Sequence, residues 1–187
     1  MSGLDPLVGR RELASPQAME AFGVQIGRML RAGDLVVLTG PLGAGKTTLT
    51  RGIAAGLGVR GPVQSPTFVI ARTHPSLVGG PALVHVDAYR LGSALELDDL
   101  DLDLGGSVVV VEWGRGMVDG LADRWWEIEL ERLPVPAPSP GDLDSGDLDA
   151  GAVDAGALDA GAVDAGAVDA GALDAGAPRR ATITRRP

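Results

Sequence analysis

Short apolar runs alternate along the chain with stretches in which apolar residues recur every three or four positions. Leu35–Thr39 and Ser107–Glu112 are apolar through their middles. Runs that do not alternate with polar residues belong to strands covered on both faces. Thr67–Ala71 and Leu83–Asp87 read as further strands. Ser15-Pro16 combines an N-cap hydroxyl with a proline suited to the first helical position. Phe22, Ile26 and Leu30 then mark one helix face. Lys46–Leu57 reads as a second helix, ended by Gly58. Ala94–Leu102 reads as a short acidic helix. Trp125–Leu130 alternates, so Trp125 and Trp126 face opposite ways and at most one is core. Arg180–Thr184 is β-rich. Helices alternating with buried strands predict an α/β domain of three layers, with a mostly parallel sheet and antiparallel edge strands.

The pattern changes after residue 135. From Asp149 the unit Asp-Ala-Gly-Ala-(Val/Leu) repeats every five residues. One larger apolar side chain per unit cannot repay the ordering of so much glycine, which predicts a disordered acidic insert. A small β-solenoid is the alternative, and the position of Ala before Val or Leu fits it poorly. The division expected is therefore a domain at 1–135, the insert at 136–178, and a possible final strand of the same domain at 179–187. The two strands flanking the insert are expected to be neighbours, because loop-closure entropy grows slowly with length.

Composition narrows the chemistry. There is no Cys, which removes disulfides, thiolate metal sites and thiol catalysis, and only two His, His74 and His85. The net charge of −9 argues against stable DNA binding. No apolar run is long enough for a membrane span, and no leader-like segment stands at the N-terminus, so a cytoplasmic location without a membrane partner is expected. The basic residues are 15 Arg among 16 Lys and Arg, leaving Lys46 as the single lysine, and there is no Asn.

That lysine sits in Gly40-Pro41-Leu42-Gly43-Ala44-Gly45-Lys46-Thr47, which fits G-x-x-x-x-G-K-[ST] between a predicted strand and a predicted helix. Such a loop turns successive backbone N–H groups toward phosphates at a helix N-terminus. Gly43, Ala44, Gly45, Lys46, Thr47 and Thr48 are the candidate ATP-binding residues. Lys46 would reach the β- and γ-phosphates, and the Thr47 hydroxyl would ligate Mg²⁺. Asp87 ends an apolar strand as a Walker B acid would. Glu112 ends another and could hold Mg²⁺ or orient water, or form an ion pair at the rim. Lys46, Asp87 and Glu112 are thus the candidate catalytic residues, and Thr47, Asp87 and Glu112 the candidate metal ligands. Ser65 and Thr67 lie where many nucleotide switches sense the γ-phosphate, although Ser65-Pro66 would equally suit a proline-fixed start to a strand. His85 reads as a satisfied structural histidine. Arg90 and Arg115 are candidates for phosphate or partner contacts, with surface pairing the plainer reading.

The missing Asn and the committed lysine remove the guanine-reading N/TKxD motif. A small P-loop kinase, or a nucleotide-regulated binding module without significant hydrolysis, remains open from the residues. The ordered set Gly40–Thr48, Ser65-Pro66-Thr67-Phe68, His85-Val86-Asp87-Ala88-Tyr89-Arg90-Leu91 and Val111-Glu112-Trp113 resembles the TsaE family, over about residues 13–132. The resemblance implies a P-loop NTPase fold and a Mg²⁺-dependent ATPase, weak alone, in tRNA threonylcarbamoyladenosine (t6A) modification. It implies TsaD and TsaB as partners, with tRNA reached indirectly through them, and Ser65–Phe68 as a switch. The chain departs from the family's usual pattern at Pro41, where Asp is frequent, and at Gly114, where Pro is frequent. Neither departure removes a phosphate or metal ligand.

Overall fold

The computed structural model describes residues 3–134 and 177–187. The acidic repeat lies outside the described residues. A short 3-10 turn at Asp5–Leu7 precedes β1, Gly9–Leu13. The chain continues through α1 (Pro16–Met29), β2 (Leu35–Thr39) and α2 (Lys46–Leu57). Next come β3 (Ala71–His74), β4 (Ala82–Asp87), α3 (Ala94–Asp98) and β5 (Ser107–Glu112). β6 (Trp125–Arg132) and β7 (Arg179–Arg186) close the domain.

One seven-stranded sheet runs in the order β1-β7-β6-β2-β5-β4-β3. The pairs β6–β2, β2–β5 and β5–β4 are parallel, and β1, β7 and β3 add antiparallel edges. This is the expected α/β P-loop architecture. Every residue of β2 and β5 is buried, as their unbroken apolar runs demand. Val36, Leu38, Val108, Val110 and Ile128 face α1 and α2. Val37, Val84, Val86, Val109 and Val111 face the other way, onto Leu97, Val118 and the loops around α3. Trp126 is in the first core and Trp125 packs half-buried against the second, on opposite faces as the alternation requires.

α1 starts on the Ser15 hydroxyl, which accepts from the Ala18 N–H at 3.1 Å. It meets α2 through glycines: a Cβ on Gly23 would stand 2.8 Å from the Gly52 Cα. This close approach seats α2, and with it the loop that precedes α2.

Two expected elements differ. The strand expected at Thr67–Ala71 begins only at Ala71, because residues 65–70 form a turn. There Val69 N–H donates to the Pro66 carbonyl at 2.9 Å, and Ile70 takes a φ of 65°. The helix expected at Ala94–Leu102 ends at Asp98, and Asp101 follows with a φ of 47°. β1 had no sequence signal, since only Leu13 of its five residues is buried.

Candidate functional site

The parallel strands β2, β4 and β5 end on one edge of the sheet, where ligands of open α/β sheets bind. Gly40 leaves β2 with a φ of 139°, and a Cβ there would run into β6 at Leu130. Gly43 and Gly45 follow with φ of 73° and 101°, left-handed values that L side chains resist. Gly45 is the N-cap of α2, so the candidate residues Gly43, Ala44, Gly45, Lys46, Thr47 and Thr48 wrap one helix N-terminus. That end presents first-turn amides and the positive end of the helix dipole, although the Ala44 N–H donates to the Pro41 carbonyl at 3.1 Å.

The Lys46 ammonium folds back over this loop. It donates to the carbonyls of Gly40 at 2.9 Å and Pro41 at 3.0 Å, and lies 3.5 Å from the centre of the Trp113 ring. Burial lowers its pKa from the ordinary lysine value, and the negative charges of Glu112 and Asp87 oppose that shift.

Asp87 and Glu112 stand side by side at the ends of adjacent strands, in register. Both are buried, at 5% and 3% exposure, so Glu112 is not at a rim. Thr47 Oγ1 donates to Glu112 Oε1 at 3.0 Å. His85 Nε2 meets the same oxygen at 2.9 Å. Asp87 Oδ2 accepts from Ser65 Oγ at 3.0 Å and from Thr67 Oγ1 at 2.7 Å, and the Asp87 N–H donates to the Ile70 carbonyl at 2.8 Å. These bonds fold residues 65–70 over Asp87 in place of the expected strand. All six predicted groups, Lys46, Thr47, Asp87, Glu112, Ser65 and Thr67, therefore come to one edge of the sheet.

The donor set fits Mg²⁺ in kind. It offers one hydroxyl and two carboxylates, all hard oxygens, beside a phosphate-type loop. Among the described residues no cluster of three or more His, Cys, Asp or Glu could form an all-protein cage. Mg²⁺ ordinarily takes one or two carboxylates and fills its shell with substrate phosphates and water.

Arg115 is tied down rather than aimed at the loop: it donates to Glu127 at 2.6 Å and to Thr39 Oγ1 at 3.1 Å. The Glu127 hydrogen bond chiefly raises its pKa further. Arg90 lies 5.1 Å from the Phe68 ring. His85, read from the sequence as a satisfied structural histidine, is fully buried behind Glu112 and its Nδ1 has no hydrogen-bond partner. Two side chains escaped the sequence reading. Arg132 Nη2 donates to the Leu42 carbonyl at 2.6 Å, and Arg179 Nη2 to the Gly43 carbonyl at 3.5 Å. Arg132 and Arg179 face each other across the β6–β7 ladder, at the end that carries the insert. Two like charges in direct register are unfavourable unless something else uses them, which is the one signal that could have marked them. A cavity of about 150 Å³ lined by Gly33, Asp34, Arg124 and Trp125 lies at the opposite, amino end of the strands, away from every predicted residue.

A buried parallel sheet, with a glycine loop and lysine between its central strand and the next helix, defines a P-loop protein of the α/β class. The family model "Threonylcarbamoyl adenosine biosynthesis protein TsaE" matches residues 13–135. The tRNA threonylcarbamoyladenosine biosynthesis protein TsaE of Streptomyces coelicolor is 61% identical over 117 residues, 61% of this chain and 79% of that one. The TsaE protein of Treponema pallidum is 36% identical, over 64% of this chain and 88% of its own. The crystal structure of YdiB from Bacillus subtilis superposes with a TM-score of 0.55 at 31% identity, covering 67% of this chain and 78% of that one. The chain belongs to the TsaE family, and its role lies in threonylcarbamoyladenosine biosynthesis. Among the described residues no helix is long and apolar enough to cross a membrane.

Proposed function

We propose that the chain is a Mg²⁺-dependent ATPase of the t6A machinery, weak alone and completed by the TsaD–TsaB pair in the cytoplasm. The observation that carries this reading is the meeting of Lys46, Thr47, Asp87 and Glu112 at the mouth of one glycine loop. ATP would lie with its phosphates on the amides of residues 43–48. Lys46 would leave the Gly40 and Pro41 carbonyls to bridge the β- and γ-phosphates. Water then attacks the γ-phosphorus, the bond to the β–γ bridging oxygen breaks, and ADP and inorganic phosphate leave. Glu112 is the group best set to orient that water, and Asp87 takes the Walker B role. Mg²⁺, held near Thr47, Asp87 and Glu112, would supply charge neutralisation on the β- and γ-oxygens. The chemistry otherwise rests on positioning and on preorganised dipoles.

Partner completion is supported by what surrounds the site. Phe68 is 78% exposed beside Arg90, and Tyr89 is 66% exposed with its ring 5.3 Å from that of Trp113. Large exposed apolar side chains beside polar site groups mark contact surfaces. tRNA would be reached through the partner pair.

The test is ATP turnover by the chain alone and with its matching TsaD–TsaB pair, with Lys46→Ala as the blank. Stimulation by the pair, abolished in Lys46→Ala, is expected. Tight ATP binding with undiminished turnover in Lys46→Ala would overturn the site. Phosphate transferred to an added acceptor, with none released free, would instead make the chain a kinase.

A further inference from the structure

Resting on the ATPase reading above, we infer that His85 is a positioning residue that fixes the Glu112 carboxylate. His85 shares a sheet face with Asp87, two residues on along β4, and that face is covered by α1 and α2. On that face Leu83, Val108 and Val110 are apolar and buried, and Arg72 stands opposite His85 across the β3–β4 ladder. A leucine would suit that environment. Instead an imidazole with no exposed surface sits there, and its Nδ1 has no hydrogen-bond partner. An unpartnered buried nitrogen of this kind costs roughly 1–3 kcal/mol, so packing alone does not account for the residue.

Its other nitrogen accounts for it. Nε2 lies 2.9 Å from Glu112 Oε1, so Nε2 carries a proton and donates to the carboxylate. Glu112 has a second donor, the Thr47 hydroxyl, at 3.0 Å from Oε1 and 3.3 Å from Oε2. That hydroxyl is also a candidate metal ligand, and in that role its contact with Glu112 changes. The His85 N–H has no second task. It is the bond that still holds the Glu112 carboxylate when the Thr47 hydroxyl turns to another partner. Outer groups that orient a ligating or water-orienting carboxylate typically matter by about 10–100-fold in metal affinity or rate.

The experiment compares His85→Leu, which fills the space without a donor, with His85→Gln, whose amide N–H reaches the same point. The first readout is ATP affinity with Mg²⁺ and with EDTA, measured by calorimetry. The second is turnover with the partner pair. For His85→Leu, affinity in EDTA should stay within about twofold of wild type, because the loop is untouched. The gain in affinity from Mg²⁺ and the kcat should each fall by about 10–100-fold. His85→Gln should recover most of both. Wild-type Mg²⁺ dependence and kcat in folded His85→Leu would overturn the inference, as would equal losses in Leu and Gln. Should His85→Leu fail to fold, His85→Asn, too short to reach Glu112, replaces it in the same comparison. A wild-type chain without turnover defeats the hydrolysis reading alone, and the Mg²⁺ dependence of binding still decides the role of His85.

Discussion

Gly23→Ala is expected to destabilise the protein although alanine is the better helix former. The new Cβ would lie 2.5 Å from the Leu49 carbonyl oxygen, 2.8 Å from the Gly52 Cα and 2.9 Å from the Ile53 amide nitrogen. All three are backbone atoms of α2, so no side chain can turn aside. α1 and α2 must part by a fraction of an ångström along an interface that also carries Met19, Phe22, Ile26, Leu49 and Ile53. Overpacking of a tight core costs about 1–3 kcal/mol, and three rigid clashes put this site at the upper end. Helix propensity returns about 1 kcal/mol. The net loss of about 2 kcal/mol corresponds to a Tm lower by roughly 6–8 °C for a domain of this size. Thermal unfolding followed by far-UV circular dichroism measures it. Gly105→Ala is the control, because nothing lies within 4 Å of its Cβ. The same displacement moves Lys46 at the start of α2, so ATP affinity should fall as well. A Gly23→Ala Tm at or above wild type would refute the interlocked contact.

Arg132→Ala removes the 2.6 Å bond to the Leu42 carbonyl, so ATP affinity should fall by about fivefold, near 1 kcal/mol, with Tm almost unchanged at this exposed position. Glu112→Gln should spare ATP binding more than turnover, read by calorimetry and phosphate release. Burial holds the His74 pKa below its usual 6.5, against a hydrogen bond to the Arg60 carbonyl. The unfolded chain therefore takes up that proton first, and stability must fall as pH drops below 6.5 and level off once the folded pKa is passed. Unfolding midpoints of wild type and His74→Asn across that window measure this, and identical pH profiles would refute it. Replacing residues 135–176 by a four-residue turn shortens the β6–β7 connection roughly sixfold, which favours folding by about 1.5 kcal/mol through loop closure. The Leu133 N–H already donates to the Pro178 carbonyl at 3.0 Å, so the ladder should close unaided, with ATP affinity unchanged by calorimetry.

The phosphate loop was legible because it needs short-range signals only. The strand at Leu35–Thr39, the glycines and the helix at Lys46–Leu57 follow in one stretch, and their boundaries agree with the structure. Asp87 and Glu112 were legible because each ends an apolar run. What escaped notice depends on residues distant in sequence. Thr-Phe-Val-Ile reads as strand by propensity, yet Ser65 and Thr67 are drawn to Asp87, and the apolar Phe68 and Val69 are left outside. β1 buries one residue and exists because β7 offers an edge. Of the leucines in the acidic stretch, Leu95 is exposed and Leu97 buried, a pattern that sustains little more than one turn. The structural role expected for His85 missed its one contact, because Glu112 is brought to it only by strand pairing.

The same bonds bear on why an isolated chain would turn over slowly. The side chains gathered at the site already have partners inside it: Lys46 with two loop carbonyls, Thr47 with Glu112, and Asp87 with Ser65 and Thr67. A phosphate or metal ion entering there exchanges existing hydrogen bonds for new ones, and each exchange nets only about 0.5–1.5 kcal/mol. The loop amides then supply most of the ground-state affinity, while the carboxylates stay engaged. Freeing Asp87 requires residues 65–70 to move, and that turn carries Phe68 into solvent beside Arg90. A partner that buries Phe68 would gain apolar area by drawing the turn away, and would release Asp87 in the same motion. On this reasoning Phe68→Ala should leave the basal rate of the isolated chain intact and abolish its stimulation by the partner pair.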